Sequence, residues 1–256
     1  FKSAKEIQRA ILPAESGFKS YFPNSFILNM PKDNLGGDFF WYRVLTDGKI
    51  LFGVIDCTGH GVPGALMSVL VNYQLNYALK SLNSYDEIGA IFRQIDKVLS
   101  GYESENELSI SSSNNEISEL NSGFDAGLCL YDFKTKKIRF CGAKRPLYLF
   151  RNGILQEFKG NRSSVGLFCL PDKKFEEIEI QLEENDQLFL FSDGYTDQIG
   201  GPRKKRFMSK LLKKTLQDIL LESPNSQCEL LTETLLNWKG ENEEQLDDIL
   251  VLGMKF

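Results

Sequence analysis

The chain has 256 residues, of which 42% are hydrophobic and 12% aromatic, which is enough apolar material for a substantial core. A formal net charge of -5 at pH 7 argues against a nucleic-acid-binding protein, because such proteins carry a concentrated basic face. The five cysteines are widely spaced in apolar runs, which predicts reduced thiols and no disulfide. No apolar run reaches the roughly 18 residues of a membrane span. We therefore expect a folded cytoplasmic domain without direct membrane contact.

The N-terminal segment, residues 1–13, is predicted to be a helix. Its apolar side chains recur at helical spacing and then stop at a proline: Ala4, Ile7, Ala10 and Ile11, before Pro13. Because the chain opens at Phe1 and not at a methionine, we expect this helix to be a linker from a longer protein whose upstream part could be membrane-tethered, followed by one domain over residues 14–256. The apolar stripe is typical of a helix that pairs with a second copy, which predicts a homodimer contact.

In the first half of the domain, a block of predicted strands is followed by a block of predicted helices. Apolar runs predict strands at 26–30, 38–45 and 49–55, the last two joined by the turn Asp47-Gly48. Apolar residues spaced by three and four predict helices at 62–80 and 85–99. A polar segment predicts a long loop at 101–123.

The second half repeats this organisation. Strands forming a meander are predicted at 124–132, 137–142, 146–151, 154–158, 175–182 and 187–192, with a tight turn at Asn152-Gly153. Helical spacing and a last apolar run predict helices at 207–221 and 226–238 and a final strand at 248–256. Because the blocks are joined by hairpin turns, the pattern predicts an α+β domain in which helices cover antiparallel sheets.

Aspartates stand at the margins of several hydrophobic strands. These positions are Asp38, Asp56, Asp193 and the adjacent pair Asp247 and Asp248. Carboxylates gathered at one point would repel by about 4 kcal/mol per pair at 4 Å and an effective dielectric constant near 20. Their immediate neighbours in the sequence include no arginine or lysine that could offset this repulsion. The pattern therefore favours a hard divalent cation, magnesium, manganese or calcium, held by oxygen ligands.

Each of these aspartates alone would be an ordinary turn residue, and only their combination favours a metal site. Asp47 and Asp186 lie in turn contexts and are assigned no chemistry. The segment "GHGVPGA", 59–65, is a weak candidate for a phosphate-binding loop because it lacks the lysine of a P-loop. The segment "GGDFF" lacks the glutamate of nucleotide-cyclase signatures. Phe39, Phe40 and Trp41 are predicted to pack and to hold the strand that begins at Asp38.

Six stretches in this order resemble the SpoIIE-like (RsbU-type) branch of the metal-dependent protein serine/threonine phosphatase (PPM) superfamily. They are "AKEIQRAILP", "NLGGDFFWY", "VIDCTGHGVPGALMS", "GAKRPLYLFRNG", "FSDGYTDQIGGP" and "QLDDILVLGMKF". The resemblance covers the chain almost end to end. It implies a four-layer αββα sandwich, in which two antiparallel β-sheets pack face to face between helices, with a two-metal centre at one edge.

The resemblance also implies which residues bind two divalent cations, Mn²⁺ or Mg²⁺. The implied ligands are Asp38, Asp56, the backbone carbonyl of Cys57, Asp193 and one of Asp247 and Asp248, with Asp56 bridging the two ions. The sequence does not separate Asp247 from Asp248. Relatives often carry a hydroxyl residue at Leu250 and amide-bearing residues at Lys144 and Arg145, so this chain departs from the family pattern there.

The implied activity is hydrolysis of phosphoserine or phosphothreonine on a partner protein, in relatives often an anti-sigma-factor antagonist, by a domain at the output end of a bacterial signalling protein. Asp56, through the metals, and His60, as an acid for the leaving oxygen, are the candidate catalytic residues. Cys57 lacks a basic neighbour, so a cysteine nucleophile is disfavoured. The basic run 201–207 either guides the substrate or is a solvated loop.

Two other functions stay open at this point. A phosphatase fold without turnover could act as a regulatory binding module. A phosphodiesterase or nucleotide hydrolase would use the same ions on a different substrate.

Overall fold

The computed structural model describes residues 2–81, 87–100, 122–166 and 173–256. These residues form two five-stranded antiparallel sheets, with helices on their outer faces and a separate two-stranded ribbon. The α+β class and the αββα layering predicted from the sequence are confirmed. Almost all of the predicted loop at 101–123 lies outside the described residues.

The helices are α1 (Lys2–Ile11), α2 (Glu15–Lys19), α3 (Gly61–Ser81), α4 (Ile88–Leu99), α5 (Gly194–Asp197), α6 (Met208–Asp218) and α7 (Pro224–Lys239). The strands are β1 (Ser25–Met30), β2 (Phe39–Val44), β3 (Lys49–Cys57), β4 (Phe124–Asp132), β5 (Lys137–Ala143), β6 (Leu147–Arg151), β7 (Ile154–Phe158), β8 (Ile178–Gln181), β9 (Gln187–Phe191), β10 (Ile199–Gly200), β11 (Lys205–Arg206) and β12 (Ile249–Lys255). No described helix is both long enough and apolar enough to cross a membrane.

Most predicted elements are present, and the exceptions are short. The predicted strand 175–182 is limited to β8, and the helices α2 and α5 and the ribbon β10–β11 were not anticipated. Elements of two to five residues contain too few positions for a hydrophobic period to show. The turn between β6 and β7 was anticipated, and both of its central residues, Asn152 and Gly153, have the positive φ angles of a type I′ turn, 52° and 74°.

The predicted meander over β4 to β9 is wrong. The strand orders are β1-β12-β9-β6-β7 in the first sheet and β2-β3-β4-β5-β8 in the second. After β5 the chain therefore crosses to the first sheet, returns for β8 and crosses again for β9. Hairpin turns identify local pairs such as β6–β7, but the partner of a strand in the other sheet depends on packing that a local pattern does not contain.

Alternation along the strands divides the core into three layers. Phe39 and Trp41 of β2 point towards α3 and α4, whereas Phe40 lies between the two sheets. On β12, Leu250 and Leu252 lie between the sheets, with the strand's other face packed against α6 and α7. The predicted packing role of the aromatic run 39–41 is confirmed, and it fixes the strand directly after Asp38.

Candidate metal centre

The predicted acids come together at one edge of the sandwich, from strand ends of both sheets. Asp38 directly precedes β2 and Asp56 lies near the end of β3, in the second sheet. Asp193 follows β9, and Asp247 and Asp248 precede β12, in the first sheet. The backbone N–H of Asp193 donates to Oδ2 of Asp56 over 3.3 Å, which joins the two sheets at this point.

Asp38 is a buried acid with an unsatisfied oxygen atom. Its residue is 8% exposed, and its buried Oδ2 atom has no hydrogen-bond partner among the described residues. Burial raises the pKa of Asp38 well above its ordinary value, the charge of Asp56 adds to this, and the nearby Ser192 hydroxyl acts in the opposite direction. A buried carboxylate oxygen without a donor is costly, and a bound cation would satisfy it.

Asp56 is held in an environment of competing charges. Burial raises the pKa of Asp56 to about 7, Arg145 lowers it, and Asp193 and Asp125 raise it. The acids of the two sheets therefore act on one another electrostatically. This coupling is the repulsion that the sequence pattern predicted for a cluster of carboxylates.

Asp247 and Asp248, which the sequence did not separate, have different environments. Asp248 is 2% exposed, and its two oxygens accept backbone N–H bonds from Lys32 at 2.8 Å and Gly37 at 2.6 Å. Asp247 is half-buried and accepts the N–H of Asp248 through Oδ1 at 2.8 Å. Burial raises the pKa of Asp247, the charges of Asp193 and Asp248 add to this, and His60 lowers it. Asp248 thus holds the loop before Asp38, whereas Asp247 has an oxygen free of these bonds.

The loop that precedes Asp38 requires its glycines. A Cβ atom on Gly37 would lie 2.7 Å from the carbonyl oxygen of Gly59 and 3.1 Å from that of Cys57. The close approach brings the Cys57 carbonyl, a predicted ligand, beside the segment that carries Asp38. Any side chain at position 37 would push these two segments apart.

Replacing Asp248 by asparagine is expected to destabilise the protein by about 1–3 kcal/mol, because the amide can accept only one of the two backbone N–H bonds and presents a donor to the other. Urea unfolding in EDTA would measure the loss. The matched control is Asp247→Asn, whose remaining Oδ1 can still accept the N–H bond, and we expect it to change stability much less. Equal losses in the two variants would contradict the distinction between these acids.

Arg145 enters this centre, and the sequence reasoning missed it. Its Nη2 donates to Oδ2 of Asp125 at 2.7 Å and to Oδ2 of Asp193 at 2.8 Å, and its Nε lies 3.6 Å from Oδ2 of Asp56. These charges raise the pKa of Arg145 further above its ordinary value, although burial opposes them. The inference that no basic residue offsets the acids is therefore wrong, because it considered only neighbours in the sequence.

Asp125 was also missed. It faces Asp56 directly across the β3–β4 pair, and its Oδ1 accepts the Ser164 hydroxyl at 2.5 Å. The sequence did contain one signal: Lys144 and Arg145 stand where relatives often carry amide-bearing residues. A positive charge introduced there would need an acidic partner if it were buried. The register that supplies Asp125 as that partner is a property of the folded sheet.

The cysteines behave as core residues where they are described. Cys57, Cys129 and Cys141 are free and buried, and Cys228 is free and half-buried. Burial raises the pKa of the Cys57 thiol well above its ordinary value, which opposes a nucleophilic thiolate. Cys169 lies outside the described residues.

His60 stands at the rim of the centre. Its side chain is 49% exposed, its Nδ1 lies 3.0 Å from Oδ2 of Asp33, and its Nε2 lies 3.1 Å from Nζ of Lys32. The ring is therefore oriented by Asp33. For Nε2 to reach a substrate oxygen, the Lys32 ammonium has to turn away.

The donors fit a hard cation in their chemistry, but their side chains do not yet converge. Within the described parts of the chain, no group of three or more His, Cys, Asp or Glu side chains is arranged so that it could hold a metal ion as it stands. Oxygen donors and the unpartnered Oδ2 of Asp38 match magnesium or manganese. One of these donors, Asp193, is already paired with Arg145 through its Oδ2.

Comparison with known proteins agrees with this fold. The sequence profile of the family described as Stage II sporulation protein E (SpoIIE) matches residues 46–256. The solved SiaA-PP2C domain of Pseudomonas aeruginosa is 35% identical, with a TM-score of 0.82 over 99% of this chain and 94% of that one. The PP2C phosphatase domain of SpoIIE from Bacillus subtilis, solved with a fragment of its regulatory domain, is 17% identical, with a TM-score of 0.68 over 91% of this chain and 63% of that one.

A more distant structure, RsbX in complex with magnesium, is 13% identical, with a TM-score of 0.56 over 91% of this chain and 94% of that one. No curated protein matches the chain. The two distant structures share only the fold, whereas the family profile and the SiaA domain resemble this chain over most of its sequence. On that basis, the chain belongs to the SpoIIE family of PP2C-type phosphatase domains.

Proposed function

We propose that the chain is a metal-dependent protein serine/threonine phosphatase that hydrolyses phosphoserine or phosphothreonine on a partner protein. The observation that carries this proposal is the buried, unpartnered Oδ2 of Asp38 among acids drawn from both sheets. A fold without a use for a cation gains nothing from burying that carboxylate, because burial disfavours its charged form. Membership of a PP2C-type phosphatase family supports the same reaction class.

The residues that would hold two manganese or magnesium ions are Asp38, Asp56, Asp193, Asp247 and the carbonyl of Cys57. Bound divalent ions would lower the pKa of a water molecule and neutralise phosphoryl oxygens. The charge of Asp56 raises the pKa of Asp38, and Asp193 in turn raises the pKa of Asp56, so Asp56 interacts with acids from both sheets, which supports a bridging position. Asp248 would keep the Asp38 loop in place through its two backbone bonds.

Hydrolysis of an aryl phosphate tests the proposal. Wild-type protein is expected to hydrolyse the substrate with Mn²⁺, and hydrolysis is expected to stop when EDTA removes the metal. The Asp193→Asn change is expected to abolish this metal-dependent hydrolysis. Asp197→Asn is the matched control, because Asp197 ends the short helix α5 that begins directly after Asp193, and its side chain pairs with Arg206 at 3.1 Å. A phosphoserine peptide and a cyclic nucleotide, assayed side by side, separate a protein phosphatase from a phosphodiesterase.

His60 is proposed as the acid that protonates the leaving serine oxygen. Its ring is oriented by Asp33, and it is close enough to Asp247, a proposed metal ligand, to lower the pKa of that carboxyl. His60→Ala is expected to lower turnover of a phosphoserine peptide by about 10²-fold, the lower range of general acid catalysis, and to affect an aryl phosphate less because its leaving group needs no proton. Unchanged turnover of the peptide would end this assignment.

The partner is proposed to be a phosphorylated regulatory protein of the anti-sigma-factor-antagonist type.

The N-terminal helix is proposed to mediate a homodimer. Ile7 and Ile11 of α1 are 60% and 43% exposed, so an apolar stripe is available for pairing. Gln8 on the same helix donates to the carbonyl of Gly36 at 2.7 Å, in the loop before Asp38. If deletion of residues 1–12 left both the oligomeric state and the turnover rate unchanged, this proposal would be abandoned.

A binding module without turnover is the second candidate. The ion pair of Arg145 with Asp193 favours it, since this pair engages one of the proposed metal ligands. Binding of a phosphopeptide without hydrolysis at saturating Mn²⁺ would establish the module and exclude the phosphatase.

A further inference from the structure

The environment of Arg145 is built to hold its side chain among the acids. The preceding residue, Lys144, has a positive φ angle of 58°, and the N–H of Arg145 bonds to the carbonyl of Ala143 at 2.7 Å, so the chain turns sharply here. Cβ atoms on Gly142 and Gly160 would lie 2.3 Å and 2.5 Å from the carbonyl oxygen of Arg145. Two glycines therefore make room for this backbone, which fixes the direction of the side chain.

The guanidinium group divides its contacts between a proposed metal ligand and a residue outside the proposed set. Nη2 donates both to Asp193 and to Asp125, at 2.8 Å and 2.7 Å. The buried Nε lies 3.6 Å from Oδ2 of Asp56 and makes no hydrogen bond within the described parts of the chain. Asp125 is itself fixed by the Ser164 hydroxyl. Arg145 could therefore release Asp193 and still keep a charged partner.

We propose that Arg145 is a tethered internal cation that competes with divalent metal for Asp56 and Asp193, while Asp125 keeps it at the site, so that Arg145 sets the metal concentration at which the centre fills. This inference rests on the proposed function, because it takes these two acids as metal ligands. A guanidinium group and a divalent ion cannot both occupy the same carboxylate lone pairs. Filling of the centre then includes transfer of Arg145 from Asp193 to Asp125 alone, and Arg145 is a positioning residue with no reacting atom in contact.

Isothermal titration of metal-stripped protein with Mn²⁺ tests the competition without requiring turnover. Arg145→Gln removes the competing charge and is expected to tighten Mn²⁺ binding by about tenfold or more. The matched control is Lys144→Gln, which makes the same charge change one residue away, where Nζ lies 3.9 Å from Asp125 and the side chain is 47% exposed. It is expected to change Mn²⁺ binding by less than about threefold, because exposed charges are screened.

A double-mutant cycle separates competition from a general effect of charge. Asp125→Asn is expected to weaken Mn²⁺ binding when Arg145 is present, because Arg145 then holds Asp193 more strongly. In the Arg145→Gln background the same change should have less effect. Equal effects in the two backgrounds would overturn the proposal. If Arg145→Gln does not fold, Arg145→Lys, which keeps the charge but replaces the planar guanidinium fork with a shorter-reaching ammonium that holds the two acids less well, is expected to tighten Mn²⁺ binding by about threefold.

The outcomes also distinguish this inference from the proposed function. Wild-type protein that binds no Mn²⁺ at millimolar concentration would overturn both. Wild-type protein that binds Mn²⁺ with the same or higher affinity than Arg145→Gln would overturn only the competition. Arg145→Gln with unchanged Mn²⁺ affinity and a raised KM for a phosphopeptide would place Arg145 on the substrate and would likewise overturn it.

Discussion

Asparagine in place of Asp38 is expected to abolish metal-dependent turnover and, at the same time, to stabilise the protein in EDTA. The side chain is buried with an unpartnered Oδ2, and burial raises its pKa well above the ordinary value. A neutral amide removes this cost, and we expect a gain of about 1–3 kcal/mol in the free energy of unfolding, or a few degrees in Tm. Loss of a proposed metal ligand is expected to lower kcat by about 10³-fold, because several kcal/mol of charge stabilisation are lost.

Thermal unfolding in EDTA and in Mn²⁺, together with aryl phosphate turnover, measures both effects. The control is Asp47→Asn, since the Asp47 side chain is 44% exposed, pairs with Lys49 and is assigned no chemistry. It should leave turnover unchanged. Turnover by Asp38→Asn at the wild-type rate would refute the assignment of Asp38 as a metal ligand. A decrease of several kcal/mol in the free energy of unfolding of this variant in EDTA would show that burial of the Asp38 carboxyl does not destabilise the protein.

The stability of the protein in EDTA is expected to fall as the pH rises from about 4 to about 7, because of Asp56. Its pKa is raised from 3.8 to about 7, first by burial, so the folded protein keeps a proton that the unfolded chain has already released. The stabilisation from this group is complete below pH 4 and is lost as the pH rises through about 7. For a single group the loss is on the order of 4 kcal/mol.

Urea unfolding in EDTA between pH 4.5 and 8 would show this effect as a difference between wild type and Asp56→Asn, because titrating groups distant from Asp56 contribute equally to both. The asparagine variant is expected to become the more stable of the two, progressively, towards pH 8. Saturating Mn²⁺ should remove the decline in wild type, because a cation stabilises the ionised carboxylate. Parallel stability curves in EDTA would show that Asp56 keeps an ordinary pKa in the folded protein.

Local sequence was sufficient to predict the elements and the acids. The spacing of Ala4, Ile7 and Ala10 predicted α1, and the dipeptides Asp47-Gly48 and Asn152-Gly153 predicted two hairpins. These features depend on residues that are close in the chain, and their physics is that of a single turn or a single helical face. The aspartates were found for the same reason, since each lies next to a strand whose apolar run is visible in the sequence.

Which residues lie together at the proposed metal centre depends on contacts between segments that are distant in the chain, and the sequence alone was insufficient to predict them. Arg145 approaches Asp56 and Asp193 because the chain crosses from the second sheet to the first between β5 and β6, and Asp125 faces Asp56 because of the β3–β4 register. These approaches are set by packing of the two sheets, which the local pattern left open.

Asp247 and Asp248 are the clearest case. They are chemically identical and adjacent in the chain, so the sequence could propose that one of them binds metal but could not choose. Folding buries Asp248 against the backbone N–H groups of Lys32 and Gly37 and leaves Asp247 half-buried near His60. Sequence therefore determined which chemical groups are available at this edge, and tertiary structure decided which of them are already engaged, because desolvation and hydrogen bonding act through space.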